Sequence, residues 1–123
     1  MGSDPKGLGR RGEEEAVRLL KANGYRILGR NVRARFGEID VVARDGPVLC
    51  FVEIKARSSL RFGWPEEGVH PRKQWQLTRL AQWYLKAHRC GETPVRFDVV
   101  SLLLSSEGPP ARTRLIKNAF DAA

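Results

Sequence analysis

The chain has 123 residues, of which 41% are apolar and 29% charged, enough for one domain with one sizeable core and unlike a disordered polymer. No apolar run approaches the length of a membrane span and the N-terminus lacks the apolar stretch of an export signal, so membrane and secreted classes are set aside and a cytoplasmic location is expected. A net charge of +8, carried by 22 basic against 14 acidic residues, points to a polyanionic partner, most simply nucleic acid.

Residues 1–9 are polar and Gly-rich and read as a flexible arm ahead of a single domain over residues 10–123. Gly7-Leu8-Gly9-Arg10-Arg11-Gly12 matches GxGxxG, but no strand precedes it, so a dinucleotide fingerprint is rejected. A helix is expected from about Arg10 to Ala22, closed by Asn23-Gly24, with Ala16, Val17, Leu19 and Leu20 on its apolar side. Glu13 lies on or beside that stripe. It is either a first-turn acid favoured by the helix dipole or a carboxylate aimed at a site. Tyr25 to Arg35 reads as a strand with a break near Gly29. Its arginines, among them Arg33 and Arg35, either solvate an edge or track phosphates.

Gly37 to Arg57 (GEIDVVARDGPVLCFVEIKAR) is the most informative stretch. Two runs rich in Val, Ile and Phe flank Asp45-Gly46, which signals a β-hairpin. With Asp45-Gly46 as a two-residue turn, Arg44 opposes Pro47, Val42 opposes Leu49 and Asp40 opposes Phe51. Glu53 and Lys55, two apart, share a face, and Asp40 joins them diagonally at roughly 7–8 Å, with Glu38 opposite Glu53. Ile39, Val41, Cys50, Val52 and Ile54 form the other, core face. Acids are depleted in strands and like charges repel, so this charged face is unusual. It is either a cross-strand ion pair on a solvated surface or a site. Two carboxylates suit a hard divalent cation, Mg²⁺ or Mn²⁺, and the neighbouring ammonium can stabilise phosphate charge or act on a water: the equipment of phosphodiester hydrolysis.

Ser58 to Val69 reads as a loop with Phe62, Gly63, Trp64 and Pro65, able to border a cleft. A second helix is expected from Pro71 to about His88, with Leu77, Leu80, Ala81, Tyr84 and Leu85 inward. Arg72 and Lys73 at its start either hold a phosphate or are ordinary surface cations. Val95 to Leu104 is a strong strand. Its Asp98 is assigned a structural pairing with an arginine rather than a place in the site. Arg112 to Lys117 reads as a last strand, with Asn118-Ala119-Phe120 as a terminal turn. Two cysteines without tandem spacing fit a reducing compartment and no zinc site.

Several motifs in order resemble the YraN-like family of small bacterial proteins: Gly12-Glu13 with Ala16, Gly24-Tyr25, Asn31, Gly37-Glu38-Ile39-Asp40, Phe51-Val52-Glu53-Ile54-Lys55 with Arg57, Lys73, and Arg96-Phe97-Asp98-Val99. More broadly, the order resembles restriction-endonuclease-like nucleases of the PD-(D/E)xK type. The resemblance implies an α/β fold, a restriction-endonuclease-like mixed β-sheet flanked by helices, similar to Holliday-junction resolvases. By position it implies Asp40 and Glu53 as metal ligands, Lys55 acting on the attacking water or scissile phosphate, and Glu13 as an auxiliary ligand or water-positioning acid. Arg33, Arg35, Arg57, Arg72 and Lys73 are the expected nucleic-acid contacts. The expected activity is a Mg²⁺- or Mn²⁺-dependent endonuclease on branched or structured DNA, with a homodimer expected from the analogy. The rival is a non-catalytic nucleic-acid-binding protein on the same fold.

Overall fold

The computed structural model describes residues 5–58 and 69–123. Its elements run α1 (Pro5–Ala22), β1 (Arg26–Ala34), β2 (Gly37–Asp45), β3 (Val48–Arg57), α2 (Pro71–Ala87), β4 (Val95–Leu103) and β5 (Arg112–Phe120). The five strands form one mixed sheet in the order β1-β2-β3-β4-β5, in which only β3 and β4 pair in parallel. The α/β mixed sheet with helices is as expected.

The helices cover opposite faces. Ala16, Val17 and Leu20 of α1 pack on Val41, Cys50, Val52, Val100 and Leu102, while Leu77, Leu80 and Tyr84 of α2 pack on Val42, Leu49, Phe51 and Phe97. Alternate residues of β3 therefore serve different cores, which is why the strand reads as an unbroken apolar run. Gly12 sets how closely α1 lies: a Cβ there would fall 2.9 Å from that of Ala56.

Several boundaries differ from expectation. The first helix begins at Pro5, not near Arg10, so the segment read as an arm is helical from that residue on; proline is well tolerated in a first turn. Residues 1–4, and the loop residues Phe62, Gly63, Trp64 and Pro65, lie outside the described residues. The expected break in the first strand is present as a register shift between Ile27 and Gly29. The last strand continues through Asn118 to Phe120 instead of ending in a turn, because Asn118, at φ +54°, donates its N–H to the buried Asp98.

The hairpin register is corrected by two residues. Asp45 pairs with Val48, Arg44 with Leu49 and Val42 with Phe51, so the turn is Gly46-Pro47, with Gly46 at φ +61°. Proline cannot donate to a ladder, and a glycine at the first turn position supplies the positive φ that a tight hairpin needs. Ile39 is also corrected: it packs with the α2 core while Val41 packs with the α1 core. Residues two apart on a regular strand share a face, so the alternation breaks at Asp40.

Candidate functional site

The break at Asp40 creates the site. The β2–β3 pairs end at Val41 and Val52, one residue short of Asp40 and Glu53, and Phe51 pairs with Val42 rather than Asp40. Instead of extending the backbone ladder, Asp40 Oδ2 accepts the N–H of Ile54 at 2.9 Å. Here a cleft of about 580 Å³ opens, lined by Glu13 of α1, Glu38 and Asp40 of β2, and Glu53, Lys55 and Arg57 of β3. The expected acidic set thus converges in one hollow at the C-terminal end of β3.

Glu53 has 13% of its side chain exposed, and Lys73 of α2 stands 3.6 Å from its carboxylate. Burial first, and then the charge of Asp40 and a hydrogen bond with it, push the Glu53 carboxyl up to about 7; Lys73 opposes the shift without cancelling it. Burial also pulls the Lys55 ammonium below the ordinary lysine range, partly offset by Glu53. Two carboxylates in contact in a desolvated cleft, with ammonium groups beside them, form an electrostatically costly arrangement.

Glu13 borders the cleft but is engaged. Its Oε2 accepts from Asn31 at 2.7 Å and its Oε1 from Arg30 at 2.8 Å, while Arg30 also reaches Glu14. Sequence reading missed this clamp, since Arg30 and Asn31 lie on another element. Asn31 at φ +50° is the one local trace, because asparagine tolerates that backbone better than most residues.

The expected cationic contacts divide. Arg57 lines the cleft and Lys73 touches Glu53. Arg33 is spent on Glu38 at 2.9 Å, and Arg35 is exposed at the β1–β2 turn. Arg72 lines a separate hollow with Phe36 and Trp75.

Among the described residues, no three His, Cys, Asp or Glu side chains form a group able to hold a metal ion. Asp40 and Glu53 nevertheless suit a hard cation that keeps several waters: Mg²⁺ is commonly held by one or two carboxylates, and a positive ion would relieve their mutual repulsion.

Residues 12–102 match the Uncharacterised protein family UPF0102. The chain belongs to that family. UPF0102 proteins of Symbiobacterium thermophilum and Syntrophus aciditrophicus are 50% and 45% identical to it, each over 94% of this chain and over 97% and 89% of their own lengths. The UPF0102 protein of Chlorobium limicola is 42% identical over 99% of this chain and 95% of its own. The UPF0102 match starts at Gly12 and therefore takes in Glu13, Asp40, Glu53, Lys55 and Lys73. No helix among the described residues is long and apolar enough to cross a membrane.

Proposed function

We propose that the chain is a divalent-metal-dependent endonuclease acting on DNA, on a restriction-endonuclease-like fold. One observation carries the reading: Asp40 and Glu53 meet in a desolvated cleft with Lys55 on the same wall. Asp40 and Glu53 would hold Mg²⁺ or Mn²⁺, which when bound supplies Lewis acidity at the phosphate and an activated water.

The protein's own groups do the rest. The Ile54 N–H fixes the Asp40 carboxylate through Oδ2, so one ligand is oriented by the backbone. Lys55, with its proton loosened by burial, lies where it can pass that proton or stabilise charge on a phosphate oxygen. Glu13 acts as a positioning residue, holding Arg30 and Asn31 at the rim. Arg57 adds positive charge for the incoming backbone. Branched or structured DNA is the proposed substrate by analogy of fold, and cutting two strands of a junction calls for two such sites, hence a homodimer.

The test is cleavage of labelled single-stranded, duplex, flap and four-way-junction DNA with Mn²⁺ or Mg²⁺. Wild type is expected to cut at least one of them, with Glu53→Ala and Lys55→Ala each at least about 100-fold slower. A folded Lys55→Ala protein as fast as wild type sinks this mechanism. Binding without cleavage turns the assignment to a non-catalytic DNA-binding protein.

A further inference from the structure

A second hollow, of about 530 Å³, lies along α2 and is lined by Phe36, Arg72, Trp75, Gln76 and Arg79. Its chemistry is unlike that of the acidic cleft: two aromatic rings and two guanidinium groups, with no carboxylate among the lining residues. Phe36 is 48% exposed and Trp75 55%, whereas Phe51, Phe97, Tyr84 and Phe120 are all at 9% or below. Two large apolar side chains facing solvent together, rather than scattered singly, mark a surface that meets a ligand.

The hollow is held in shape. Gln76 Nε2 donates to the Phe36 carbonyl oxygen at 3.0 Å, which ties the β1–β2 turn to the helix. The Arg79 guanidinium sits 5.1 Å from the Trp75 ring centroid and also donates to Gln82, so the cation beside the indole is oriented from its own helix. Arg72, in the first turn of α2, is exposed.

We propose that this hollow is a stacking platform for unpaired bases of DNA, with Trp75 and Phe36 receiving the base faces and Arg72 the adjoining phosphates. A nucleotide brings a flat π-face and an anion together, the complement of this lining. A second copy of the chain fits worse: a two-fold contact centred here would press Arg72 and Arg79 against the same arginines of the other molecule. Arg72 is followed by Lys73, which reaches Glu53 at 3.6 Å, so one strand can run from the platform to the acidic cleft. The inference rests on the nuclease reading for what happens in the cleft and on the hollow alone for binding. It defines the substrate class as DNA with unpaired nucleotides beside the bond to be cut, not uninterrupted duplex.

The test measures binding in EDTA by fluorescence anisotropy, with a fluorescein-labelled twelve-residue thymidylate oligonucleotide and with an abasic oligonucleotide of the same length and phosphate count. Wild type is expected to bind the thymidylate chain about tenfold more tightly than the abasic one, and Trp75→Ala to lose that preference. Phe36→Ser, on a different element, guards against a folding artefact and is expected to lose part of it. Equal affinity of wild type for both chains overturns the platform, as does an undiminished preference in folded Trp75→Ala and Phe36→Ser proteins. Equal behaviour of wild type and Glu53→Gln towards DNA with Mn²⁺, whether both cut or neither does, overturns the nuclease reading of the acidic cleft instead and leaves the platform standing.

Discussion

The β2–β3 hairpin carries charged groups at both ends, and the two ends handle them in opposite ways. Towards the turn end, the hairpin's Asp45 joins a network around Asp98 of the neighbouring β4, which is fully buried, yet its carboxylate takes Arg96 at 2.8 and 2.9 Å, the Tyr25 hydroxyl at 2.6 Å and the Asn118 N–H at 2.9 Å. Arg96 and Lys117 also meet Asp45, at 2.8 and 3.1 Å. At the open end, two acids again stand near two bases, but Glu53 lies against Asp40 and its ammonium partner Lys73 is 3.6 Å away. Burial alone would raise Asp98, and its donors bring it below the usual carboxylate range; Glu53 is driven above it. The same residue types thus make a closed structural network in one place and an unrelieved one in the other. What separates them is whether hydrogen-bond donors saturate the carboxylates, the difference expected between a scaffold and a site that awaits something charged.

The largest effect is expected from breaking the closed end. Arg96→Ala leaves Asp98 buried without its main partner and should cost about 3–5 kcal/mol in urea denaturation. Lys73→Ala removes a partly exposed ammonium that stands 3.6 Å from Glu53, and should cost less than about 1 kcal/mol. Equal losses in the two variants would erase the distinction. Tyr25→Phe removes one of several donors to Asp98, and a loss of about 1–2 kcal/mol is expected.

Replacing Glu53 by Gln should sharpen the contrast from the other side. Stability of the metal-free Glu53→Gln protein at pH 8 is expected to rise by about 1 kcal/mol, because a like-charge contact is gone. A loss above about 1 kcal/mol would show Glu53 to be a structural residue instead.

The two ends also leave opposite signatures in pH. Asp98 is depressed in the folded protein, so its contribution is complete above the unfolded value near about 4 and is lost as pH falls through the folded one. Glu53 is raised, so its contribution is complete below the unfolded value of 4.5 and is lost as pH rises through about 7. Urea midpoints of wild type and Glu53→Gln, taken from pH 4.5 to 8 in EDTA, should therefore converge at the acid end and separate towards pH 8. A constant difference across that range would contradict the raised carboxyl.

The sequence made the elements legible because their signals are local: the apolar stripes of both helices, Pro71 at a helix start, the alternation of Val95 to Leu103. It also brought Asp40, Glu53 and Lys55 together, since each lies within a hairpin's reach of the others. What it missed depends on distant partners. Asp45-Gly46 carries the local turn signal, but Arg96 and Lys117 hold the Asp45 carboxylate at the end of the strand and Gly46-Pro47 makes the turn. The switch of Ile39 to the α2 core has no trace in alternating hydrophobicity. From sequence Lys73 is either a phosphate contact or a surface cation, and its approach to Glu53 becomes visible only once α2 is laid across the sheet.

The single parallel pairing, β3 with β4, has a consequence for the order in which the molecule assembles. A parallel pair cannot be closed by a tight turn; it waits for the intervening chain, here the stretch that contains α2, to cross over. The β2–β3 hairpin needs no such delay, since local contacts form before distant ones. Asp40 and Glu53 are therefore brought side by side early, while Lys73 arrives with the crossover. The Asp40–Glu53 contact thus depends on the hairpin alone, whereas the Glu53–Lys73 contact depends on the crossover.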